Sequence, residues 1–121
     1  MDSYMDKRNF TRVEYSECAS VKHDDQVFFC DIKSISLQGM FIKTTQEIPV
    51  NSPVEITIYH PPEDSFRFYA DVVYFGENGM GMRIKRMDVP SFVHLRDAVA
   101  MHCNDNDLIM RETYRMTSCI Y

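Results

Sequence analysis

No stretch of this 121-residue sequence approaches the roughly 20 consecutive apolar residues that a membrane-spanning helix needs, so membrane insertion is not expected. Positive charge is also in short supply. Thirteen Lys and Arg stand against eighteen Asp and Glu, a net charge of −5. A general binder of nucleic acid or of anionic membranes carries the opposite sign, so DNA is not an expected partner. The four cysteines, Cys18, Cys30, Cys103 and Cys119, include no CxxC pair and no other short metal-type spacing. No GxSxG, HExxH or P-loop is present. No repeat, low-complexity tract or Pro/Gly linker divides the chain, and its length fits one domain. The amino-terminal stretch MDSYMDKRNF is too polar for a signal peptide, so the expected location is the cytoplasm, where thiols stay reduced.

What the sequence does hold is the 45% hydrophobic and 26% charged balance of an ordinary globular domain. Residues 1–12 are polar and aperiodic and read as an arm. Val13, Tyr15, Ala19 and Val21 fall mostly on one parity and suggest a strand. His23 to Gln26 is a turn, and Val27 to Ile35 reads as the hairpin partner. Ser36 to Gly39 interrupts that run and Met40 to Ile42 resumes it. Val54, Ile56 and Ile58 mark a half-buried strand. A loop over His60 to Asp64 comes next, because neither Pro61 nor Pro62 can donate to a ladder. Phe66, Phe68, Ala70, Val72 and Tyr74 alternate over a long strand, and Gly76 to Gly79 turns it back into Met80, Met82 and Ile84. About six strands at this spacing indicate an antiparallel barrel or sandwich. Nine methionines are expected to fill gaps in its core.

After residue 87 the period changes. Asp88 or Ser91 caps a helix with Pro90 in its first turn, and Phe92, Leu95, Val99 and Cys103 form its apolar stripe. The expected folded unit is therefore 13–103. Residues 104–121 form a C-terminal tail, with a second short helix over Asp105 to Arg115.

Two short features carry chemistry. The four histidines, His23, His60, His94 and His102, do not, since none has a carboxylate or cysteine partner at motif spacing. The first feature is Lys7-Arg8-Asn9-Phe10-Thr11-Arg12, a basic island on an acidic chain. Two arginines four apart can converge on one anion. Arginine pairs bidentately with phosphate or the guanine edge and stacks on purines. On charge alone, a solubilising tail explains the island as well. The second is Ser34-Ile35-Ser36-Leu37-Gln38-Gly39. Small hydroxyls at a strand end, followed by a glycine turn, expose backbone N–H groups and admit close approach of a ligand. An ordinary turn between strands has the same composition.

In combination these features resemble PilZ domains, whose signature is an RxxxR arm followed by a strand ending in (Asp/Asn)-x-Ser-x-x-Gly. Gly39-Met40-Phe41-Ile42-Lys43-Thr44, Ile48-Pro49-Val50, Ala70-Asp71-Val72-Val73-Tyr74 and Gly79-Met80-Gly81-Met82-Arg83-Ile84 are similar to later parts of the same family. The resemblance runs from residue 8 to about residue 100. It implies a mainly β fold, a six-stranded antiparallel split barrel with a C-terminal α-helix. It also implies a bacterial, non-catalytic receptor for the second messenger cyclic di-GMP, with no cofactor.

Carried over by position, Arg8 and Arg12, with Lys7 beside them, would grip phosphate and guanine. Ser36 and Gly39 would lie on the barrel surface beneath the ligand, and Ser34 would meet a guanine. Ser34 stands where the family has Asp or Asn. A carboxylate accepts from guanine N1–H and N2–H together, which a hydroxyl cannot do. Loss of one such contact costs roughly 1–3 kcal/mol. Asp31 does not replace it, because odd spacing along a regular strand turns it to the opposite face. The expected mechanism is ordering of the arm by ligand, which presents a new surface to an effector protein. The alternative is a degenerate PilZ interaction module that binds no nucleotide and works through its surface or tail. The C-terminal helices are a candidate homodimer surface.

Overall fold

The structure of the protein, a computed structural model, describes residues 10–60 and 64–121. Lys7, Arg8 and the rest of the expected arm before Phe10 lie outside the described residues, as do Pro61, Pro62 and Glu63 of the expected loop. Among the described residues there are seven strands: β1 (Val13–Glu14), β2 (Cys18–His23), β3 (Gln26–Ile35), β4 (Gly39–Lys43), β5 (Pro53–His60), β6 (Asp64–Gly76) and β7 (Gly79–Arg86). Six of them run β3-β2-β5-β6-β7-β4, all antiparallel, and a β3–β4 ladder closes the sheet into a barrel. Closure uses only Asp31 to Ile35 of β3, so the seam beside Gln26 to Cys30 stays split.

Alternation builds the interior. Ala19 and Val21, Ile32 and Ile35, Met40 and Ile42, Ile56 and Ile58, Phe68 and Val72, and Met80 and Ile84 all point inward and are buried. β-branched and aromatic side chains suit this pleated, enclosed surface. Met40, Met80, Met82, Met87 and Met116 complete the core, since an unbranched thioether fills irregular space. Cys30 is buried among them, and burial, with Cys18 and Asp31 adding to it, pushes its thiol up to about 12.

Helix α1 (Val89–Met101) comes after the barrel. Asp88 is its N-cap and accepts from Ser91 N at 2.8 Å, with proline in the first turn. Phe92, Leu95 and Val99 are buried on the predicted stripe. The segment after Cys103 also folds onto the domain. Helix α2 (Asn106–Tyr114) is capped by Asp105, and Ile109 and Met116 join the core. The chain ends beside β7, where Met87 N donates to Cys119 O and Tyr121 N donates to Met87 O. Among the described residues no helix is long and apolar enough to cross a membrane.

Two local departures from regular strand geometry shape the outer face around β3. The expected strand from Val13 to Val21 is broken into β1 and β2, both lying along one edge of β3. Tyr15 N still donates to Lys33 O, and Ile32 N donates to Glu17 O, so the break is a bulge and not a departure from the sheet. Opposite it, β3 carries its own bulge, with the register slipping between Ile32 and Ser34. Lys33 and Ser34 therefore both face outward between buried Ile32 and Ile35. This corrects the parity expectation for Asp31, because the extra residue returns Ser34 to the same outer face.

Candidate functional site

The β3 bulge places Ser34 at one end of a row that crosses four strands. Ser34 pairs with Phe41, Phe41 with Gly81, and Gly81 with Tyr74. A second bulge, between Val72 and Tyr74, ends the row on β6 and turns both Val73 and Tyr74 outward, Tyr74 to 50% exposure. Phe41 and Tyr74 flank Gly81 with ring centroids 6.1 Å apart and planes tilted by 35°. The result is an open depression of about 680 Å³, lined by Arg12, Ser34, Phe41, Val73, Tyr74 and Gly81 among others.

Arg12 forms the rim. Its Nη1 donates to Ser34 Oγ at 3.0 Å, across 22 residues of sequence. Two of the residues singled out from separate motifs thus meet. On the other edge of β3, Glu14 of β1 is the direct cross-strand neighbour of Ser34. Arg8 and Lys7 lie outside the described residues.

Ser36 and Gly39 have a different place from the one expected. Both are buried, Ser36 to 3% exposure, and neither lies on the barrel surface. Ser36 Oγ accepts from Gln38 N and Gly39 N, each at 3.2 Å, and Ser36 N donates to Gly39 O at 2.8 Å. The hydroxyl thus serves as the internal brace of the turn. Gly39 lies so close to β7 that a Cβ would collide with the Met82 carbonyl oxygen. The turn is held there as Ile84 N donates to Gln38 O at 2.6 Å. These two residues therefore fix the end of β3 and the start of β4, the strands that carry Ser34 and Phe41.

One site-adjacent group was not legible in the sequence. Glu112 of α2 is only 2% exposed, and its carboxylate accepts from Thr11 N at 2.9 Å and Thr11 Oγ1 at 2.6 Å. Arg115 stacks over the Phe10 ring at 4.7 Å. Residues 10 and 11, inside the RxxxR span, are thereby held by the C-terminal segment. No local pattern marks Glu112, because its partner is 101 residues away.

The described histidine side chains, of His23, His94 and His102, stay apart. His94 stacks on Phe66, His102 packs edge-on against Tyr15 with Nδ1 at 3.0 Å from Ala98 O, and His23 neighbours Asp24. Among the described residues no three His, Cys, Asp or Glu side chains gather to hold a metal. A second depression, of about 450 Å³, lies between Lys22, Glu55, Tyr69, Lys85 and Arg86. It mixes charges: Lys85 pairs with Asp71, and Arg86 sits over Tyr69 and Tyr121.

A family match to the PilZ domain covers residues 6–101. No curated protein matches the sequence. Among solved structures, the PilZ domain of YcgR from Escherichia coli, which holds c-di-GMP, is similar at a TM-score of 0.68 and 13% identity, over 92% of this chain and 97% of that one. The PilZ domain of CeSA from a cellulose-synthesising bacterium is similar at 0.58 and 10% identity, over 88% and 98%. The inhibitor of motility MotI/DgrA of Bacillus subtilis is similar at 0.64 and 13%, over 89% of this chain but only 52% of its own length. At such identities the likeness is one of fold.

Proposed function

The chain belongs to the PilZ domain family, a family of c-di-GMP receptors, and from that premise we propose that it is a non-catalytic receptor whose ligand lies on the Ser34-to-Tyr74 row. Arg8 and Arg12 grip phosphate and guanine, with Lys7 adding charge. Arginine suits both tasks, since its planar fork pairs bidentately and its face stacks on a purine. Ser34 holds the Arg12 guanidinium against the sheet. The flat surface that the paired Phe41 and Tyr74 rings present beside Gly81 takes the face of a base, as ring quadrupoles favour offset or tilted stacking. Ser36 and Gly39 contribute by fixing the turn and do not themselves touch the ligand. The signal passes to an effector protein through the surface that bound ligand and arm create together.

The observation that carries this reading is the 3.0 Å bond from Arg12 Nη1 to Ser34 Oγ at the mouth of the depression. It unites the two halves of the family signature on the face where the strand bulges leave room. Titration calorimetry with cyclic di-GMP tests it. Wild type is expected to bind, and Arg8→Ala and Arg12→Ala each to weaken binding by about tenfold or more, the value of a charge-assisted contact. No heat from wild type at high micromolar ligand ends the receptor reading. Undiminished binding by Arg12→Ala ends the site assignment.

A further inference from the structure

A carboxylate taken out of water costs several kcal/mol unless its oxygens find donors. Glu112 has both oxygens engaged, and both bonds go to one residue, Thr11. Three residues further along the chain, at the end of α2, Arg115 covers Phe10. Positions 112 and 115 lie on one helical face. That face therefore holds two consecutive residues of the segment that separates Arg8 from Arg12. A helix needed only to cover the barrel would be served at this position by an apolar side chain at lower desolvation cost. Helix α2 (Asn106–Tyr114) also lies beyond the 6–101 span of the family match.

We infer that Glu112 is a positioning residue for the cyclic di-GMP site. It fixes Thr11 in place, so that Arg12 one residue later leaves that anchor in a direction set by the C-terminal helix. Helix α2 is then a mechanical part of the site. By thermodynamic reciprocity, a ligand that draws on the two arginines tightens α2 in return. The inference rests on the ligand reading above and adds to it the route by which occupancy reaches the chain's other end.

The test compares wild type, Glu112→Ala, Glu112→Gln and Arg12→Ala in the full chain, by calorimetry with cyclic di-GMP and by thermal melting. Glutamine can accept from Thr11 N and donate to Thr11 Oγ1, so Glu112→Gln should stay within about threefold of wild-type affinity. Glu112→Ala should lose about tenfold or more. Amide exchange of residues 106–114 should slow when ligand binds wild type and not when it binds Glu112→Ala. A merely structural role would lower the melting midpoint of Glu112→Ala and leave its affinity at the wild-type value, and that result overturns the inference. Should Glu112→Ala fail to fold, Thr11→Ala carries the test, since Thr11 is outside the core cluster. A three- to tenfold loss there supports the inference, and unchanged affinity overturns it. Binding that falls with Arg12→Ala but not with Glu112→Ala removes this inference alone. Absence of binding by wild type removes the ligand reading and this inference with it.

Discussion

A Cβ at position 39 would meet the Met82 carbonyl oxygen, and because that obstacle is backbone no rotamer relieves it. Gly39→Ala is therefore expected to destabilise the fold by roughly 3 kcal/mol, read as a shift in denaturant midpoint. Gly81 is a glycine for another reason. A Cβ there would sit 3.5 Å from Tyr74 Cβ and 3.7 Å from Phe41 Cδ1, which are ordinary contacts. Gly81→Ala should fold with near-unchanged stability and bind cyclic di-GMP more weakly, because the methyl rises from the floor of the depression beside the two rings. Equal affinity would remove the base from that surface. Ser34→Asp brings a carboxylate to the 3.0 Å Arg12 contact and supplies the bidentate acceptor a guanine edge needs. It also faces Glu14 across the ladder, and like charges directly opposite repel. The variant should gain about 5- to 150-fold in affinity, from roughly 1–3 kcal/mol, while melting slightly lower without ligand. Unchanged affinity would take guanine recognition away from position 34.

Helix α1 is capped by Asp88, whose carboxyl is held below its ordinary value by the bond from Ser91 N. A depressed carboxylate contributes stability that is present above the unfolded pKa and lost as pH falls through the folded one. Asp88→Ala should thus melt below wild type at neutral pH, and the two midpoints should begin to approach as pH drops below the ordinary Asp value of 3.8 and meet below the lowered folded one. A constant gap across that window would mean that the cap acts through packing and not through charge. This cap was legible, because Asp, Pro and an apolar stripe obey local rules. The strands were legible for the same reason, down to the Ser36–Gly39 interruption. The bulges at Lys33 and Val73 were not. Each is a slip in register between two strands, and alternation within one strand carries no trace of it until parity is counted against the partner. They matter because they bring Ser34 and Tyr74 to the outer face, where Arg12 meets the first. The contact of Glu112 with Thr11 was hidden too, since α2 has one buried apolar residue, Ile109, and the carboxylate's partner lies 101 residues away.

Across the whole molecule the net charge is −5, yet the proposed ligand is an anion. A ring of two phosphates and two guanines needs a few converging cations and flat surfaces, whereas a duplex needs a broad basic face. The Lys7-to-Arg12 island supplies the first without the second. Family and barrel could be read from ordered short motifs, because those motifs sit at strand ends that the fold must place together. The burial of Ser36 and Gly39 could not, because signature residues that shape a turn and residues that touch a ligand look alike in a sequence. Ligand that prefers the native state stabilises it by about 2.7 kcal/mol at a hundredfold excess over Kd, which for a domain of this size raises the melting midpoint on the order of 10 °C. The most direct measurement is the melting midpoint of wild type and Arg12→Ala with and without cyclic di-GMP. A rise in wild type that Arg12→Ala largely loses is the predicted result. A wild-type midpoint that does not move at high micromolar ligand would contradict the receptor assignment.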